Sequence, residues 1–225
     1  MQYVRNVRFP YLIYIAAFLI VLAIGGASLA FEIPVKKMLV EAVQTFKSKF
    51  YVGFLSNLTA ITWAVGAYCS LCAWWLLKKI DGPRNWQRLF LMAGGLTTVL
   101  MLDDLFMFHE RIFPKHLYLD RIFGREPNEK IPVACYGLFT LYFLFSNRRT
   151  LAETQWLHLA VALGLLAFSV TVDRGVGAHL VPHKDWQAYL EEGAKFLGVV
   201  GWSSYFTLHA GSVVLQALKR EPATA

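Results

Sequence analysis

The sequence predicts an all-α, polytopic integral membrane bundle of about six transmembrane helices, and three observations carry that prediction. Of 225 residues, 56% are hydrophobic, 15% aromatic and only 16% charged, with a mean hydropathy of +0.45; an ordinary soluble domain is less apolar. The apolar residues gather into six runs close to the length that a hydrocarbon core of about 30 Å demands of a helix. Internal repeats, low-complexity tracts and long linkers are missing, so residues 1–225 are expected to form a single membrane domain.

The first run, 10–31, follows Arg5 and Arg8 and ends in Ser28-Leu29-Ala30, a small-x-small pattern that a cleaved signal peptide also shows. Its length favours a retained helix. In PVKKMLVEAVQTFKSKF, residues 34–50, the apolar Val35, Met38, Leu39, Ala42 and Phe46 recur at helical spacing after Pro34, which predicts an interfacial amphipathic helix between the first two spans. The second run, 51–77, carries Cys69-x-x-Cys72. Lipid disfavours the thiolate that redox chemistry needs, so these cysteines and Cys135 read as small apolar contact residues. Asp81-Gly82-Pro83 is a turn signal before the third run, 88–109. Residues 111–130 mix aromatic, apolar and basic side chains, rest on the interface and end in a polar turn at 125–130. The fourth run, 131–147, is short, and Asn147-Arg148-Arg149 reads as a plain tether to the fifth, 155–174. The sixth, 188–217, is long enough to tilt, and its Gly193, Gly198, Gly201 and Gly211 permit close helix contacts.

Lysine and arginine set the orientation. With both termini cytoplasmic, the inner segments hold Arg5, Arg8, Lys78, Lys79, Arg84, Arg88, Arg148, Arg149, Lys219 and Arg220. Of the 15 acids, only Asp81, Glu153 and Glu221 fall inside. The net charge of +7 thus describes a basic cytoplasmic face next to a lipid bilayer. No recognition motif accompanies it, and a nucleic-acid partner is not expected.

This topology gathers polar residues on the outer (periplasmic, extracellular or lumenal) side. The third span ends in MLDDLFMFHE, with Asp103, Asp104, His109 and Glu110. The fifth ends at Asp173; the sixth begins with Glu191, Glu192 and Lys195; the second opens with Ser56 and Asn57. Ionisable groups inside spans cost about 2.5–3.5 kcal/mol each on insertion scales and usually face a partner or a wet cavity. Asp103 and Asp104 are the deepest. Glu191 and Glu192 stand four and three residues before Lys195, so intrahelical ion pairing accounts for them equally well. His179 and His183 have ligand spacing, but Pro182 argues against a regular helix between them. His158 and His209 read as satisfied buried histidines.

Three functions fit such a pocket. A divalent metal such as zinc, held by His109, Glu110, His179 and His183, would activate water for hydrolysis of a lipid or other amphipathic substrate, with Asp103, Asp104 and Glu192 moving protons. Alternatively, the intramembrane aspartates bind and release a proton or cation in a transporter or channel subunit. In the third reading the cluster is a structural network that fixes helix register or assembly.

Overall fold

The computed structural model describes residues 8–35, 53–108, 125–173 and 183–219. Among these every regular element is an α-helix, in the order α1 (Arg8–Ala30), α2 (Phe54–Lys79), α3 (Arg84–Phe106), α4 (Arg125–Ser146), α5 (Arg148–Ala152), α6 (Trp156–Thr171) and α7 (Lys184–Leu218). Two of them, α2 and α3, are long and apolar enough to cross a membrane; the apolar stretches Ala17–Ala30, Ile131–Ser146 and Trp156–Thr171 are shorter. Contacts divide the chain into two compact units, one of residues 1–62 and 155–205, the other of residues 63–154 and 206–225.

In the first unit α1 packs on the N-terminal half of α7. Ala17, Val21, Ile24, Val35, Leu55 and Phe196 form its core. Two tyrosines tie the helices together: the Tyr189 hydroxyl donates to the Val21 carbonyl at 2.5 Å, and that of Tyr14 donates to the His158 carbonyl at 3.2 Å. Small residues allow the approach. A side chain at Gly193 would meet Val21, one at Gly198 would meet Leu166 and the Ala162 carbonyl, and one at Gly201 would fall on the Tyr14 ring; Gly211 has open space around it. The C-terminus of α1 closes with Glu32 in the left-handed region (φ 52°) and the Ile33 N–H bonded to the Ser28 carbonyl at 3.1 Å, a Schellman ending completed by Pro34.

In the second unit the turn at Asp81-Gly82-Pro83 follows the same logic. Asp81 takes φ 44° and the Gly82 N–H bonds to the Leu77 carbonyl at 2.8 Å, satisfying a carbonyl that the helix end leaves open. A Cβ on Gly82 would stand 2.8 Å from the Leu77 Cδ2, so the glycine is a packing requirement. Gly94 lets α3 lie against Leu71 of α2. Trp86, Phe90, Phe143 and Phe206 fill the interior.

Two local expectations are corrected. Residues 125–130 are the first turns of α4, not a polar turn; Pro127 is tolerated there because a helix leaves its first N–H groups unbonded. The tether at Asn147 is a helix start. Asn147 donates from Nδ2 to the Phe143 carbonyl at 2.8 Å and accepts the Leu151 N–H at 2.9 Å, which opens the short helix α5. Helix α3 ends at Phe106, within the third apolar run, where Met107 adopts φ 52° and ψ 44°. The expected interfacial helix after Val35 lies outside the described residues.

Candidate functional site

Helix α3 carries the deepest acids. Its hydroxyl residues are spent locally: Thr97 and Thr98 donate to the carbonyls of Ala93 and Gly94, four residues back, at 2.7 and 2.8 Å. This is how an apolar setting accommodates a hydroxyl. Asp103 is different. It is 6% exposed, and its Oδ1 accepts a hydrogen bond from the Tyr136 hydroxyl of α4 at 3.0 Å. Asp104 follows it, partly buried, one turn before the break at Met107. Both carboxylates thus occupy the last turn of a helix with no basic residue in that turn. The dipole end there is negative and the final carbonyls lack intrahelical partners.

Asp103 and Asp104 belong to the second unit. Ser56, Asn57, Asp173, His183, Glu191, Glu192 and Lys195 belong to the first unit. Lys195 Nζ lies 3.4 Å from Glu192 Oε1, the intrahelical pair expected from their spacing. Ser56 is buried, Asn57 and Asp173 are exposed, and Glu191 is half-buried. His183 is exposed, and its carbonyl receives the N–H groups of Trp186 and Gln187 at 3.1 Å as α7 begins. His109, Glu110 and His179 lie outside the described residues. Among the described residues no group of three or more His, Cys, Asp or Glu is placed to hold a metal ion.

Two polar partnerships lie outside the predicted set of site residues. Tyr136 is one; among apolar neighbours a tyrosine reads as filler, although its hydroxyl demands a partner when buried. The other surrounds His158 in the first unit. His158 Nε2 and Ser204 Oγ are 3.1 Å apart, Ser204 also donates to the Gly201 carbonyl, and the rings of Tyr14 and Tyr205 meet the imidazole edge-on at 5.2 and 5.9 Å. This histidine is buried and hydrogen-bonded, as expected.

Among its described residues the chain is therefore all-helical, with a buried carboxylate hydrogen-bonded to a phenol at the end of an apolar helix. It belongs to the family described as a domain of unknown function, DUF8692, which matches residues 12–208 and so includes every candidate above. No match was found among curated proteins or solved structures.

Proposed function

We propose that the chain is an integral membrane protein of six spans, with its termini in the cytoplasm, that handles a proton or a cation at Asp103 and Asp104 near the outer side. The membrane part is supported by where apolar side chains point. In the apolar windows of α2 and α3 only 39% of residues are buried, whereas the core helix of a soluble protein would be mostly covered. Ile15, Phe18, Leu19, Ile61, Tyr68, Leu157 and many others face outward, as side chains in contact with lipid do. Neither α2 nor α3 lies at the amino terminus, so a signal sequence does not account for them.

The single observation that carries the ion-handling reading is the hydrogen bond from Tyr136 to buried Asp103, beside Asp104, in the last turn of α3. Asp103 stands fifteen positions beyond Arg88 on the same helix, a rise of about 22 Å, so from the basic end the acids lie inside a core of about 30 Å, toward its outer side. Carboxylates at that depth mark ion pathways and proton relays, and helix C-terminal carbonyls join them in cation sites. The test is proton and cation movement in proteoliposomes. Wild-type protein is expected to dissipate an imposed gradient and Asp103→Asn to abolish this. Wild-type vesicles as tight as protein-free ones, or full movement with Asp103→Asn, would sink the reading.

A second reading, the metal-dependent hydrolase of a lipid or amphipathic substrate, has one observation in its favour: both aspartates stand in the turn just before His109 and Glu110. The described residues alone do not furnish a ligand set, so no hydrolytic step is derived. Stoichiometric zinc or another divalent ion in purified protein, lost in His109→Ala, would move the balance to this reading.

A further inference from the structure

Helix α4 turns Leu138, Leu141, Tyr142 and Phe145 outward, at 66%, 63%, 57% and 68% exposure. The spacing i, i+3, i+4, i+7 makes them one continuous stripe. The stripe runs directly into α5, where the Arg148 guanidinium lies 4.5 Å over the Phe145 ring. Arg148 and Arg149 are exposed while Thr150 and Leu151 of the same short helix are buried, so α5 is fastened by one face and offers its two arginines on the other. The Asn85 amide reaches Thr150 Oγ1 at 3.4 Å and brings the start of α3, with exposed Arg84, to the same corner. The surface joins an apolar track about 10 Å long to a cluster of exposed arginines.

We propose that this corner of the second unit binds an anionic glycerophospholipid. Its phosphate is held by Arg148 and Arg149 and its acyl chain lies along Leu138, Leu141, Tyr142 and Phe145. Guanidinium groups match phosphate oxygens in pairs, and the apolar stripe selects a ligand with a hydrocarbon tail over a free phosphate or a nucleic acid. A zwitterionic headgroup would bring its own ammonium against the arginines and is the poorer ligand. The site rests on the membrane reading above.

The experiment titrates the purified full-length protein in detergent with short-chain phosphatidylglycerol, phosphatidylcholine or glycerol phosphate, counting bound molecules by native mass spectrometry. Phosphatidylglycerol is expected to bind in preference to the other two. Arg148→Gln with Arg149→Gln should weaken it roughly 30-fold, from about 1 kcal/mol for each surface cation near an anionic headgroup, and leave phosphatidylcholine unchanged. Arg148→Lys with Arg149→Lys keeps the charge but loses the paired geometry, so its affinity should fall between wild type and the glutamine variant. Equal affinity for the two lipids, equal binding of glycerol phosphate, or a glutamine variant that binds as wild type would overturn the site. Alkaline carbonate extraction of the wild-type membrane fraction separates the two failures. Release of the chain defeats the membrane reading itself, whereas a chain that stays in the pellet without lipid preference defeats only this site.

Discussion

Replacing Gly201 by alanine tests how α1 is held. A Cβ there would fall on the hydroxyl oxygen and ring carbons of Tyr14, so the ring must leave the face of α7, and its hydrogen bond to the His158 carbonyl goes with it. Overpacking of a close contact costs about 1–3 kcal/mol, and the lost hydrogen bond about 0.5–1.5 kcal/mol. Alanine returns up to about 1 kcal/mol in helix propensity over glycine. The expected net destabilisation is therefore about 1–3 kcal/mol. The same substitution in a Tyr14→Ala background meets no ring, keeps the propensity gain and should be neutral or stabilising. Unfolding of purified protein in a denaturing detergent series, followed by circular dichroism, measures all four corners of the cycle. If Gly201→Ala costs the same in both backgrounds, Tyr14 does not occupy that groove and the account of α1 packing is wrong.

Three further outcomes follow from the same contacts. Gly94→Ala places a methyl 2.7 Å from Leu71 Cγ and Cδ2 and should cost about 1–3 kcal/mol, recovered in large part by Leu71→Ala, in the same unfolding assay. Tyr136→Phe removes the donor to Asp103 and should cost about 1.5–3 kcal/mol if the carboxylate is charged and nearer 1 if it is neutral, so the measured value reports the protonation state in the resting protein. Lys195→Gln breaks the partly exposed pair with Glu192 and should cost under about 1 kcal/mol; a larger loss would show that Lys195 holds more than its helical neighbour.

The helices were legible because each is a run of apolar residues, and the run survives whatever the helix packs against. Their ends were less so. The start of α4 is polar and contains two prolines, Pro127 and Pro132, so periodicity alone starts it too late. Helix α5 was hidden because five residues are too few for a pattern, although Asn147 is a residue type that favours helix starts. Met107 gave no warning of its left-handed backbone, since a methionine rarely adopts it. Within the site, Asp103 stood out by cost alone, whereas Tyr136 did not, because one chain position says nothing of which helix lies opposite. The Glu192–Lys195 pair was legible for the opposite reason: both partners share a helix, and spacing decides the contact.

The choice of aspartate at position 103 carries an argument of its own. If the residue served only to anchor Tyr136, asparagine would accept the same phenolic hydrogen bond through its amide oxygen. It would also avoid the cost of burying an ionisable group in an apolar helix, about 2.5–3.5 kcal/mol for aspartate on insertion scales. The acid adds one property the amide lacks, which is that its charge can change. Asp103→Asn should therefore fold at least as stably as wild type in the detergent series and keep its contact with Tyr136, yet lose proton or cation movement. A variant that loses both stability and movement would make Asp103 a structural anchor. One that keeps both stability and movement would refute the ion-handling reading.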